Sequence, residues 1–266
     1  KYMSYNKKLS GAKAVFVPIT KIGHNTLPYI EDLKSRCIKY IDFYPCQYLP
    51  ETSDAGLTTT DNVYLTLADK TGNLLYVKDM PLARFDYTQT VGTRQPIFNI
   101  LSLQNSYLNV TDSSLIGTTA MLIFWYDLPT YSRANKSELC ITDSLTVPIT
   151  TAVRHNTLPD EERMAQKRFR QILLGVNSIA PDYSTSLTYN EMLNMYITLR
   201  KGTYNVVENL PLAYLLQMTM FEKQEFANIV FDLQNSYILI GGANTIPNVQ
   251  SDYIGKTVTL NFVYEK

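Results

Sequence analysis

The sequence has no excess of charge of either sign: Lys plus Arg and Asp plus Glu each number 24 in 266 residues. A chain whose task is to coat nucleic acid carries a basic excess, so that class is excluded. Charged residues are also scarce, at 18% against 45% hydrophobic, which excludes a disordered chain. Cysteine is rare and odd in number: Cys37, Cys46 and Cys140, with no Cys-x-x-Cys. A disulfide framework is excluded, and a reducing compartment is expected. Long apolar runs are missing; the longest, Ala120–Tyr126, has seven residues and is far too short to span a membrane. The stretch Lys1–Gly11 is polar and lacks an apolar h-region, so no secretory leader is predicted. In that setting the Asn-x-Ser/Thr sites at Asn109 and Asn135 read as chance matches.

Tyrosine, by contrast, is abundant, with 20 copies. It suits strands, and it suits interfaces where one end of the ring stays wet. A neutral chain also has little long-range repulsion against copies of itself.

The chain repeats itself. Val17-Pro18-Ile19-Thr20 returns as Val147-Pro148-Ile149-Thr150, and His24-Asn25-Thr26-Leu27-Pro28 as His155-Asn156-Thr157-Leu158-Pro159. Tyr64-x-Thr66-Leu67 returns as Tyr196-x-Thr198-Leu199, and Pro81-Leu82-Ala83 as Pro211-Leu212-Ala213. Leu103-Gln104-Asn105-Ser106-Tyr107 returns as Leu233-Gln234-Asn235-Ser236-Tyr237, and Ile116-Gly117-x-Thr119 as Ile254-Gly255-x-Thr257. The offset stays at 130–132 and steps to 138 only at the last match, which places a longer loop around Gly241–Asp252. Six matches in one order predict a tandem duplication: an arm at 1–11, a first unit at 12–132, a polar linker at 133–141 and a second unit at 142–266. The period is too long for a solenoid, whose units run to roughly 20–50 residues.

Both units read as β. Period-two alternation marks Cys37–Phe43, Asn62–Leu67 and Val258–Tyr264, and Gly-containing turns at Lys70–Asn73 and Lys201-Gly202 mark hairpins. Further strands are expected at Ala14–Val17, Leu74–Val77, Ile97–Leu103, Ala120–Tyr126, Met195–Leu199, Tyr204–Val207 and Ile229–Leu233. Short strands with few helices predict an all-β sandwich or jelly roll. Thr157-x-x-Asp160, with early acids and late bases, predicts one short helix over 159–168; a second is expected within Ala213–Phe226.

Chemistry is sparse. His24 and His155 occupy matching places, and a metal site would need further ligands that no nearby His or Cys supplies. The Asn-Thr-Leu-Pro after each is turn chemistry, so both read as one structural turn met twice. The Leu-Gln-Asn-Ser-Tyr motif reads as a tight bend between strands rather than an amide-binding site. Cys37, Cys46 and Cys140 read as core or interface thiols, and Trp125 as core. Arg163, Lys167, Arg168 and Arg170 read as a solvated helix face rather than a phosphate or lipid site. Asp69–Asn73 lacks the spaced acids of a calcium loop. No nucleophile elbow, zincin, P-loop or dinucleotide motif is present in the sequence. Catalytic, cofactor-binding and metal residues are accordingly predicted as none, and the chain is expected not to be an enzyme.

Two tandem β units, once-per-copy hairpin, Leu-Gln-Asn-Ser-Tyr and Ile-Gly-x-Thr segments, neutral charge and no catalytic motif resemble a double jelly-roll major capsid protein. The size is similar to the smallest of these, from tailless, membrane-containing icosahedral bacteriophages such as corticoviruses and Finnlakeviruses. The resemblance covers nearly the whole chain at the level of architecture and carries no functional residue across. It implies two jelly rolls, homotrimers with a pseudo-sixfold outline, and tiling of a virion shell assembled in the host cytoplasm. Its implied partners are further copies of the chain, neighbouring capsomers, other capsid proteins and an underlying lipid membrane, without sequence-specific nucleic acid binding. The Gly241–Asp252 loop and the Lys1–Lys8 arm become candidate contact elements. The rival expectation is a tandem β-sandwich binding module for a glycan or receptor, or a spike or minor capsid protein.

Overall fold

The computed structural model describes residues 10–50, 54–87, 97–127, 140–151, 155–165, 167–174, 189–216, 229–242 and 253–265. The protein is mostly β with very few helices. In the first half the strands are β1 (Ser10–Pro18), β2 (Gly23–Thr26), β3 (Cys37–Tyr44), β4 (Ala55–Gly56), β5 (Val63–Asp69), β6 (Leu75–Pro81), β7 (Asn99–Val110) and β8 (Thr118–Asp127). In the second they are β9 (Cys140–Pro148), β10 (Asn156–Thr157), β11 (Arg168–Leu174), β12 (Met195–Lys201), β13 (Tyr204–Pro211), β14 (Ile229–Val230), β15 (Asp232–Ile240) and β16 (Thr257–Glu265). Two one-turn α-helices, α1 (Tyr189–Met192) and α2 (Ala213–Leu216), and four short 3-10 turns complete the described elements.

The two halves follow one pairing plan. In the first, β8 lies between β1 and β3, and β3 pairs with the start of β7. In the second, β16 lies between β9 and β11, and β11 pairs with β14. The other four strands also correspond: β2-β7-β5-β6 in the first half and β10-β15-β12-β13 in the second. Among the described residues two differences separate them: β4 pairs in parallel with β8 in the first half alone, and the work of β7 is shared out differently. The single long strand β7 serves both groups in the first half, whereas the second half divides that work between β14 and β15.

The halves are then fused. Strand β1 pairs in parallel with β13, Ala12 against Val207 and Lys13 against Glu208. This contact joins twelve of the described strands into one mixed sheet, with β9, β11, β14 and β16 forming a second sheet of four. The buried apolar side chains likewise form one continuous cluster through both halves. Alternation explains which faces are inside: Val63, Leu65 and Leu67 of β5 are all buried, as are Val258, Leu260, Phe262 and Tyr264 of β16. Trp125 is in the core, as its apolar strand predicts.

Two local expectations are corrected. Among the described residues of 159–168 no α-helix forms; Glu162–Met164 makes a single 3-10 turn, without a side-chain cap at Glu161. Thr157, the expected cap, lies in β10 opposite Tyr237, and β11 begins at Arg168, so strand pairing on both sides leaves space for only that turn. Near 213–226 the helix is the single turn α2, and residues 217–228 lie outside the described residues. So do the Lys1–Lys8 arm, Asn135, most of the 133–141 linker and residues 243–252 of the longer loop.

Candidate functional site

The repeated motifs meet in space, once per half. His24 on β2 lies flat against Tyr107 on β7, ring centroids 3.8 Å apart. His155, just before β10, does the same against Tyr237 on β15 at 3.7 Å. Both imidazoles are on the exposed surface. The neighbouring asparagine is buried in each motif. Asn25 Oδ1 accepts from the Thr20 and Lys21 N–H groups, and its amide donates to the Lys21 and Gly23 carbonyls. Asn156 Oδ1 accepts from the Thr150 and Thr151 N–H groups, and its amide nitrogen donates to the Thr151 carbonyl. The Val-Pro-Ile-Thr and His-Asn-Thr-Leu-Pro motifs are thus two sides of one asparagine-tied turn.

The Leu-Gln-Asn-Ser-Tyr motif is not a bend between strands. It lies inside β7 and β15 and carries a bulge. Thr66 pairs with Tyr107 but Ala68 with Ser102, so a step of two residues along β5 matches a step of five along β7. In the second half Thr198 pairs with Tyr237 and Arg200 with Asp232, the same mismatch. The serine hydroxyl makes the bulge possible. Ser106 Oγ donates to the Ser102 carbonyl at 2.7 Å and accepts from the Ala68 N–H at 3.0 Å. Ser236 Oγ repeats both bonds with Asp232 and Arg200. A donor that would have lost its ladder partner is thereby satisfied.

A third repeated device was missed at the sequence level. Asp79 and Asn209, at matching places in β6 and β13, have φ of 46° and 52°. Asp and Asn tolerate this left-handed region better than other residues with a side chain. Their N–H groups donate to Thr66 Oγ1 and Thr198 Oγ1. The signal available was the spacing Thr-Leu … Asp/Asn-x-Pro-Leu-Ala, present in both copies.

The seam between the halves is the other concentration of polar contacts, and it consumes much of the tyrosine. Lys13 Nζ is 2.7 Å from Glu208 and 3.0 Å from Asp32. Burial disfavours its charge, but the two carboxylates outweigh that and hold its pKa above the ordinary lysine value. Tyr126 donates to the Val206 carbonyl at 3.2 Å, and the Arg36 guanidinium lies near both the Tyr126 and Tyr204 rings. Tyr44 donates to the Leu193 carbonyl, and Tyr196 donates to the Tyr48 carbonyl at 2.6 Å. Beneath them Tyr44, Tyr87, Tyr214 and Trp125 pack ring on ring. Buried Asp42 accepts from Trp125 Nε1 at 2.7 Å and from the Tyr214 hydroxyl at 3.3 Å. Gly11 fits this seam because a Cβ there would meet the Tyr126 ring at 2.5 Å. None of these partners was legible in the sequence.

The remaining candidates are scattered. Cys46 is buried beside Met121 and Tyr196, and burial pushes its thiol up to about 12; a thiol so held is a packing group, not a nucleophile. Cys37 is part-exposed at the start of β3, and Cys140 opens β9, where its side chain is outside the description. Of the basic cluster, Lys167 lies 5.6 Å from the centre of the Tyr264 ring, while the side chains of Arg163, Arg168 and Arg170 are outside the description. Asp69 is occupied by its own turn, accepting from the Asn73 and Leu74 N–H groups and Thr71 Oγ1; these bonds, Leu74 first, lower its pKa. Among the described residues no group of three His, Cys, Asp or Glu side chains is placed to hold a metal ion, and no helix is long and apolar enough to cross a membrane. What the arrangement offers chemically is strand edges, hydrogen-bonded turns and a tyrosine-lined seam. Comparison with protein-family models, curated proteins and solved structures finds no match to this chain.

Proposed function

We propose that the chain is a structural protein, a major capsid protein built of two jelly rolls from an internal duplication. One observation carries the reading: both halves pair their strands in the same order. Labelled in sequence as B to I, with the two-residue β4 left unlabelled, one group of strands in each half runs B-I-D-G and the other C-H-E-F. In the first half these are β1-β8-β3-β7 and β2-β7-β5-β6; in the second, β9-β16-β11-β14 and β10-β15-β12-β13. That order supports the double Greek key of a jelly roll. The twice-used asparagine turn, serine bulge and left-handed Asp/Asn support descent of both halves from one unit.

Two wedges fixed side by side by the β1–β13 seam make one third of a six-wedge ring, so a trimer would present a pseudo-sixfold outline and tile a shell. On this reading the chain works through contacts with its own copies and catalyses nothing. Light scattering of the purified protein, followed by electron microscopy, tests it. A compact trimer or hexagonal array is the expected result. A chain that stays monomeric at high concentration, or that binds glycans as a monomer, would overturn it.

A further inference from the structure

The seam inside the chain is a template for a contact between chains. Strand β13 closes the edge of β1. By the repeat, β9 is the counterpart of β1 (Val17 with Val147), and β6 is the counterpart of β13 (Pro81 with Pro211). The corresponding contact, β9 with β6, is not made within one chain. Among the described residues β6 pairs only with β5, at one end of the large sheet, and β9 only with β16, at one end of the small sheet. We propose that β9 of one copy pairs in parallel with β6 of a second copy, Thr142 against Val77 and Asp143 against Lys78.

Charge supports this register. Within the chain Lys13 on β1 meets Glu208 on β13. At the counterpart positions stand Asp143 on β9 and Lys78 on β6, so both members are reversed and the pair remains complementary. The third member follows: Asp32, which also meets Lys13, has Arg163 at its matching sequence position. Independent drift of two unrelated edges has no reason to preserve complementarity through a double reversal.

Packing supports the same partner. Just before and along the open edge of β6, Leu74, Leu75 and Tyr76 are exposed by 56%, 40% and 38%, which leaves apolar side chains on a strand that is paired, among the described residues, along one edge only. Such an edge invites a further strand. Two of their counterparts, Tyr204 and Val206, meet Tyr126 across the internal seam. On the other side, Arg36 over Tyr126 has its counterpart in Lys167 over Tyr264 beside β9. The cation-on-tyrosine half of the seam is therefore already present at the open edge.

The two surfaces differ, so the contact is head-to-tail: it closes into a ring if the rotation allows and otherwise grows as a filament. Only the number of chains in the ring rests on the capsid reading. The test compares the wild-type chain with Lys78→Glu, Asp143→Lys and the double exchange by sedimentation velocity, with circular dichroism as the check on folding. Either single reversal sets like charges against each other and is expected to weaken association by about tenfold or more, and the double exchange to restore most of it. Lys78 is exposed, so Lys78→Glu keeps the fold and carries the test by itself even where Asp143→Lys unfolds. Single variants that trimerise like the wild type would overturn the strand contact and leave the capsid reading standing. Wild-type filaments that Lys78→Glu dissolves would support the contact and overturn the closed trimer. A wild-type monomer at about 100 µM would overturn both.

Discussion

Tyr196 in β12 donates its phenol proton to the main-chain carbonyl of Tyr48 at 2.6 Å, tying the second half of the chain to the first. The ring is fully buried, and Gly241 and Gly242 lie against the same Tyr48 segment, where a Cβ would collide with it. Tyr196→Phe keeps the packing and removes the bond. The expected cost is about 1 kcal/mol, the usual net worth of such a bond, which lowers the melting temperature by about 2 °C for a chain of this size. Calorimetry of the variant checks it, and an unchanged melting temperature would remove this bond from the seam's stability.

The seam is also expected to fail in alkali. Lys13 has a raised folded-state pKa, so its contribution is full below the unfolded value and fades as pH rises through the folded one. Tyr126 and Tyr196 are held well above the phenol range, chiefly by burial, and burial pushes Cys46 up to about 12. For these neutral acids the sign is the same: the unfolded chain releases its protons first, so raising the pH favours unfolding. The denaturant midpoint is expected to hold steady near neutrality and to fall from about pH 9 upward, with tyrosinate absorbance appearing as the chain opens. A midpoint unchanged to about pH 11 would contradict this.

How far the sequence foretold the structure depends on the range of the interaction. Strands such as β5 were legible because the alternation of Val63, Leu65 and Leu67 is a local record of the apolar face, although Thr66 and Ala68 on the other face are buried as well. The repeat was legible because its motifs are contiguous. The helix over 159–168 failed for a physical reason: its capping and charge pattern is local, whereas Thr157 opposite Tyr237 and Phe169 opposite Tyr264 are tertiary pairings that override it. The seam left no local trace. Lys13 and Glu208 lie in different halves, and neither strand's pattern names the other. The role of the Leu-Gln-Asn-Ser-Tyr motif was obscured because a serine that bridges a bulge and a serine at a turn have the same composition.

The asparagine turns predict an isosteric test. Asn25 uses its oxygen as an acceptor and its nitrogen as a donor to the Lys21 and Gly23 carbonyls. Asn25→Asp keeps the shape but sets a carboxylate oxygen against those carbonyls. With the side chain buried, the expected loss is about 2 kcal/mol, and Asn156→Asp should lose a similar amount. Chemical denaturation of each variant measures it. Equal stability of the Asp and Asn forms at neutral pH would show that the donor half of the turn carries no weight.

The serine bulges give the sharpest comparison between the halves. Ser106→Ala leaves the Ala68 N–H without its acceptor, and Ser236→Ala does the same to the Arg200 N–H. Both serines are completely buried, so water cannot readily replace the hydroxyl, and each variant is expected to lose about 1–3 kcal/mol. The two sites share no hydrogen-bond partner, so the double variant should lose the sum within about 0.5 kcal/mol, provided the chain unfolds as one unit. That proviso is itself tested. The β1–β13 pairing and the continuous core couple the halves, so one denaturation transition is expected for all three variants. Two transitions, with Ser106→Ala moving only the first and Ser236→Ala only the second, would mean that the seam is too weak to make the halves fold together.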